Sequence, residues 1–253
     1  MNICLFTQEE ISLPLKADDE RAVHIKKILH KGVGDTFNAG IIGGQAGTAT
    51  ITKIGSQAQE AGDIFFTFTP QSDGKPLFPL HMIIGFPRPI QLKRLLRDMA
   101  ALGVQSIRLC GTELGEKSYL KAGLSDPKEI YKMLLDGTVQ AASAHVPQPY
   151  VYPSLAACLD ALDAETAALP PLKLALDNVN PQSSLTTYLS QNPPQGRSAL
   201  AAIGSERGWS PSERALLESR GFIRLGMGSR VMRTETASTV SASLILSAMG
   251  ALG

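Results

Sequence analysis

Few residues of this chain belong to the commonest catalytic and metal-binding chemistries. Its three cysteines, Cys4, Cys110 and Cys158, stand far apart without metal-type spacing. Each is read as a small buried apolar residue in a reduced setting. The four histidines, His24, His30, His81 and His145, are equally scattered, and no pair has a spacing that would hold an ion. With no Ser-His-Asp order either, hydrolase and metalloenzyme chemistry have nothing to stand on, and no metal is expected. No apolar run is long enough to span a bilayer. The start, Met-Asn-Ile-Cys-Leu-Phe-Thr-Gln-Glu-Glu, has no basic segment. Neither a membrane span nor a secretory signal is expected, and the setting is read as cytoplasmic. Excess charge is missing too: 24 Lys plus Arg against 23 Asp plus Glu leaves +1. Any affinity for nucleic acid therefore rests on local patches rather than on the overall field.

What is present divides the chain in two. From Thr36 to Thr69 short alternating runs such as Thr48–Ile54 and Ile64–Thr69 are separated by glycine-bearing turns, the pattern of a small β-barrel or sandwich. Ahead of it, Asp19 to His30 carries Val23, Ile25, Ile28 and Leu29 and predicts one short helix. Polar residues with Gly and Pro from Gln71 to Pro76 predict a linker. Beyond Phe78 strands and helices alternate. Strands are expected at 78–86, 104–110, 172–176, 198–203 and 222–225. Helices are expected over Leu92–Leu102, from Asp126, from the capping box at Ser210–Glu213, and over Thr234–Met249. Such alternation implies an α/β fold with a mostly parallel sheet, whose ligands sit beyond the carboxyl ends of the strands.

Two glycine-bearing turns fall at such ends. Gly204-Ser205-Glu206-Arg207-Gly208 follows a strand and precedes a capped helix, which suits a backbone that approaches a polar ligand. It is not GxGxxG, and no P-loop Lys-Ser/Thr follows, so a phosphate-binding nucleotide site is disfavoured. Met227-Gly228-Ser229 runs into Arg230-Val231-Met232-Arg233-Thr234-Glu235-Thr236-Ala237. One Thr suffices to cap a helix; two arginines and a glutamate beside it point to a substrate.

Together these segments resemble the ribosomal RNA small-subunit methyltransferase E family of the SPOUT superfamily. Gly204-Ser205-Glu206-Arg207-Gly208-Trp209-Ser210, with Glu213 following, stands where the family has Gly-Pro-Glu-Gly-Gly-Phe-Ser and a helical Glu. Met227 to Ala237 stands where it has Leu-Gly-x-Arg-Ile-Leu-Arg-Thr-Glu-Thr-Ala. Weaker echoes are Leu102-Gly103-Val104 and the stretch from His24 to Asp35. The resemblance implies a PUA-like β-barrel that binds RNA over residues 1–72. It also implies a SPOUT α/β-knot methyltransferase domain with a trefoil knot over 77–253. The implied cofactor is S-adenosylmethionine, the partner a second copy in a homodimer, and the reaction methylation of N3 of a uridine in 16S rRNA of the small ribosomal subunit.

By the same resemblance Leu176, Ile203, Gly204, Ser205, Glu206, Gly208, Met227, Gly228, Val231, Met232, Thr236 and Ala237 would hold the cofactor. N3 methylation removes an imide proton, and an arginine near O2 or O4 would stabilise the negative charge that develops. Arg233 is expected in that role, with Glu235 or Glu206 steering the proton. N3 lies on the pairing edge, so the base must be unpaired. Arg21, Lys26, Lys27, His30 and Lys31 are expected to meet RNA from the barrel. Arg88, Lys93, Arg94, Arg97 and Arg230 are expected to meet it from the catalytic domain.

The chain departs from the family pattern at four places. Arg207 replaces a glycine, and Asp98-Met-Ala-Ala-Leu-Gly-Val104 lacks the family's Lys, Thr and Glu. Ala141-Ala-Ser-Ala-His145 replaces Glu-Gln-Ser-Gly-Arg, and His30 replaces an arginine. Two other readings therefore stand beside the first: a non-catalytic RNA-binding or assembly protein, and a SPOUT methyltransferase with another RNA target.

Overall fold

Cys4–Phe6, which the sequence pattern leaves unassigned, form strand β1 of the computed structural model. The structure describes residues 2–57, 60–121, 126–164, 172–194 and 196–252. It comprises two units, one of Met1–Pro76 with Thr138–Val146, the other of Leu77–Gly137 with Pro147–Gly253. In the first, α1 (Glu20–Lys27) follows β1. Strand β2 (Thr36–Ile41) pairs parallel with β1 and antiparallel with β3 (Ala46–Ile54). The edge strand is β4 (Ile64–Ser72), which runs into the segment expected as linker.

The alternation predicted for these strands is what buries them. Phe37, Ala39, Ala49, Ile51 and Ile64 point into one core with Phe6, Leu15 and Ile25, each large apolar side chain contributing about 1.5–3 kcal/mol. Helix α1 is capped by Asp19, whose carboxylate accepts from Arg21 N at 2.8 Å. It ends three residues before the expected His30. Only Ala22 and Ile25 of α1 are buried, whereas Ile28 and Leu29 are exposed. The backbone leaves helical geometry after Ile28 and reaches φ 52° at His30.

In the second unit β5 (Phe78–Gly85) leads to α2 (Pro89–Ala101), β6 (Val104–Cys110), α3 (Lys117–Lys121) and α4 (Pro127–Gln140), whose last residues, from Thr138, belong to the first unit. Then come β7 (Gln148–Tyr152), α5 (Leu155–Asp163), β8 (Leu172–Leu176), β9 (Ser183–Ser184) and α6 (Leu185–Gln191). The chain closes with β10 (Ala199–Ile203), α7 (Pro211–Ser219), β11 (Ile223–Gly226) and α8 (Thr234–Ala248). The sheet is parallel throughout, in the order β7-β6-β5-β10-β8-β11-β9.

Every residue of β10 is buried, as its unbroken Ala-Leu-Ala-Ala-Ile run requires of a central parallel strand covered on both faces. On one face Ile83, Ala175, Leu200 and Ala202 pack with Cys158, Leu159 and Leu217 of α5 and α7. α8 lies against β5, β10 and α2. Gly103 (φ 73°) and Gly221 (φ 80°) stop α2 and α7 where expected. All three cysteines are buried.

Candidate functional site

Parallel pairing sets Leu176 beside Ile203 in register, so the chain leaves β8 and β10 at one level and β11 ends close by. The three exits enclose a cavity of about 320 Å³. One wall is the turn after β10. Gly208 N donates to Ser205 O at 2.8 Å, closing it. A Cβ on Gly204 would stand 2.7 Å from the Gly208 carbonyl carbon, so only glycine allows the turn to fold back this tightly. A second wall is the turn after β11, where Gly228 has φ 103° with no atom near its missing Cβ. The third is Asp177–Val179, following β8. Asp177, almost fully buried, takes Arg214 Nε at 2.5 Å and Val179 N at 3.1 Å.

Of the residues expected to hold a cofactor, Leu176, Ile203, Gly204, Ser205, Glu206, Gly208, Met227, Gly228, Val231, Met232 and Ala237 all line this cavity. Arg230 lines it too. Thr236 does not; it lies exposed on the first turn of α8. The sequence reading missed Asp177, Asn178, Val179, Arg207, Arg214 and Thr234, which complete the lining. Asp177 carried a usable signal, an acid directly after an apolar strand in a parallel sheet. Thr234 hydroxyl reaches Gly204 O at 3.4 Å, joining the two turns. Apolar walls and free backbone groups on irregular turns suit a flat heterocycle with a short polar tail.

A neighbouring cavity of about 310 Å³ is lined by Arg88, Ile90, Gln91, Glu206, Val231, Met232, Arg233 and Glu235. Here the three expected catalytic side chains meet. Glu206 pairs with Arg88 at 2.9 Å, which raises the Arg88 pKa and keeps the guanidinium charged. Arg233 is the N-cap of α8 without a side-chain capping bond, is exposed, and takes no ion pair among the described residues. Glu235 is 8% exposed in the first turn of α8. Its side chain accepts no hydrogen bond among the described residues. A free guanidinium and a sheltered carboxylate on one helix end can stabilise an anion and receive a proton. No cluster that could hold a metal ion occurs among the described residues.

The remaining cations are set differently. Arg21 hydrogen-bonds Asp19, Glu10 and Leu5 O, and lies 4.8 Å from the Phe6 ring centre. Burial would lower its pKa, but the two carboxylates hold it raised. This guanidinium braces the first unit. Lys26 donates to Gly62 O at 2.7 Å. Lys27, His30, Arg94 and Arg230 are exposed.

Residues 73–246 match the family of the RNA methyltransferase domain. The chain is 40% identical over 249 residues to the ribosomal RNA small subunit methyltransferase E of Treponema pallidum, covering 97% of this chain and 91% of that one. A Legionella pneumophila methyltransferase, solved with SAM bound, has a TM-score of 0.75 at 20% identity over 98% of both chains. The ribosomal RNA small subunit methyltransferase E of Neisseria gonorrhoeae, solved with S-adenosyl methionine, has the same TM-score at 18% identity over 98% and 97%. The shared architecture is an α/β fold with a parallel seven-stranded sheet and a separate smaller sheet.

Proposed function

The chain belongs to the RNA methyltransferase family, within its ribosomal RNA small subunit methyltransferase E group, and from that premise we propose that it methylates N3 of a uridine in 16S rRNA of the small subunit. The donor in this reading is S-adenosylmethionine. The observation that carries it is the junction of two cavities, one walled by backbone turns and the other by Arg233, Glu235 and Glu206.

Backbone of Gly204–Gly208 and Met227–Met232, with Leu176, Ile203 and Ala237 as apolar walls, would hold the cofactor. When bound there it supplies an electrophilic methyl group. Arg233 stabilises the negative charge that spreads to uracil O2 and O4 as the N3 proton leaves, the task of an oxyanion hole. Glu235 receives that proton, since Glu206 is engaged with Arg88. Exposed Ile90 and Val231 beside this cavity support closure of the site by a second copy in a homodimer. Residues 1–72 act as the PUA-like RNA-binding domain, and 77–253 as the knotted catalytic domain working in the cytoplasm. Placement of β8 between β10 and β11 supports the knot.

The test is transfer of labelled methyl groups to small subunits lacking the modification, beside calorimetric titration with S-adenosylmethionine. Saturable cofactor binding and incorporation at one uridine are expected. Arg233→Ala should lower transfer by about 10²–10³-fold with cofactor affinity within a few fold. No cofactor binding by the wild type in the presence of RNA would overturn the reading.

A further inference from the structure

A second, roomier cavity lies beyond the other half of the sheet. The carboxyl ends of β5, β6 and β7 open on a space of about 820 Å³, more than twice the volume between the β8, β10 and β11 turns. Its character is different. Tyr152, its ring near-parallel to that of Tyr150 at 6.4 Å, and Leu155 and Leu216 give it flat apolar surface. Glu113 gives it a fixed acceptor. Both Ser210 and Ser212 hydroxyls donate to Glu113 Oε2, at 2.5 and 2.6 Å, while Oε1 accepts nothing from the described residues. Both oxygens of buried Glu213 are already engaged, accepting from Glu113 N and Ser210 N at 2.9 Å each.

Among the described residues lining this cavity Lys117 is set against the carboxylates Glu113, Glu116 and Glu213 and no arginine is present, so it is poorly built for a phosphate. A carboxylate with a spare oxygen beside an aromatic wall suits a flat heterocycle that offers amino hydrogens, as cytosine N4 does to acidic side chains. Uracil, with carbonyls flanking its one imino hydrogen, suits it less.

The cavity also continues toward the proposed methylation site. A narrow cleft of about 100 Å³ shares Phe86, Gly115 and Glu116 with it, and Ser205 and Glu206 with the cavity at β10. Thr112 hydroxyl donates to Ser205 Oγ at 2.8 Å on the divide. A single strand entering one cavity with a base therefore has a path that leads its neighbour to the other.

We propose that the cavity at the ends of β5, β6 and β7 seats an unpaired, amino-bearing base of the substrate RNA near the methylated nucleotide, stacked on Tyr152 and read by Glu113. This proposal rests on the rRNA methyltransferase reading. It makes the outer half of the sheet a specificity site, which selects the flanking sequence while the inner half performs transfer.

The test uses the full chain and labelled single-stranded oligoribonucleotides of cytidine, adenosine or uridine, followed by fluorescence anisotropy. Glu113→Gln removes the paired acceptor, and Ala156→Trp, at an exposed position on the rim, fills the space. Wild type should bind the cytidine or adenosine strand more tightly than the uridine strand. Glu113→Gln should erase that preference, and Ala156→Trp should weaken all three by about tenfold, the order expected for a lost stacking contact. The Michaelis constant for small subunits should rise in both variants with S-adenosylmethionine affinity unchanged. Equal RNA affinities in all three proteins would overturn the proposal, whatever the methyltransferase assay gives. Loss of cofactor binding in the wild type would instead overturn the reading beneath it, and the anisotropy result would still decide what the cavity binds.

Discussion

The two cavities at the carboxyl edge of the seven-stranded sheet are built by opposite means. Around β8, β10 and β11 two walls are backbone turns, folded back at Gly204–Gly208 and opened at Gly228. Around β5, β6 and β7 they are side chains, with Glu113 and Tyr152 providing the distinctive chemistry. Backbone walls recognise one ligand and tolerate little change, because the recognising groups cannot be substituted singly. Side-chain walls can be altered residue by residue with the sheet unchanged. That division suits a methyltransferase that holds its cofactor with turns and selects its RNA with side chains.

The largest effect should come from adding one methyl group to the backbone wall. In Gly204→Ala the new Cβ would meet Gly208 main chain at 2.7 Å, and main chain cannot swing aside as a side chain can. S-adenosylmethionine affinity should fall by about 10- to 100-fold, or about 1.4–2.8 kcal/mol, by calorimetry. Binding of RNA oligonucleotides should hold within twofold. A variant that binds the cofactor like the wild type would break the comparison, for the turn would not then be a wall of that site.

The same contrast explains what could be read in the sequence. Glycines at strand ends announce a close backbone approach, and the family resemblance named the residues around them, so the turns Gly204–Gly208 and Met227–Met232 were legible while the wall after β8 was not. Thr236 shows the limit, because adjacency along α8 does not carry a side chain to the same face. Asp177 was missed because its role depends on Arg214, 37 residues away. The outer cavity left no local signal. Glu113, Tyr152 and Ser212 meet only because β6, β7 and α7 do, and no spacing encodes that. In the first unit the barrel-like alternation was legible, but Ile28 and Leu29 mimicked a helical core face that the backbone abandons at His30. Arg21 looked like an RNA contact and is held by Asp19 and Glu10.

One residue ties the two cavities together, and its loss should have an intermediate effect. Glu213, 4% exposed, accepts from backbone on the loop after β6 with one oxygen and from the cap of α7 with the other. Glu213→Gln puts an NH2 group against one of those N–H donors. Leaving a buried donor unpaired costs about 1–3 kcal/mol, and the melting temperature should drop by about 2–4 °C per kcal/mol. Differential scanning calorimetry measures this. RNA and cofactor affinities should both weaken, since the loop and the turn lose their common anchor. An unchanged melting temperature would mean that the two cavities are mechanically independent.

The smallest effect separates the cavities by their response to acid. Hydrogen bonds from Ser210 and then Ser212 lower the Glu113 pKa from its ordinary 4.5. Its folded pKa thus lies below its unfolded one. The contribution to stability is fully present above the ordinary value and is lost as pH falls through the depressed one. Glu113→Gln lacks that contribution. The gap in melting temperature between wild type and this variant should therefore stay flat from neutral to about pH 5 and narrow only on further acidification. RNA base preference should follow the same limb, because the acceptor that reads the base is the group being protonated. Cofactor affinity should not follow it, since Glu113 does not line the cavity proposed for the cofactor. If the gap instead stays flat or widens on acidification below pH 5, the folded Glu113 titrates at or above its ordinary value. The two hydroxyls would then not be donating to a carboxylate, and the outer cavity would lose its fixed acceptor.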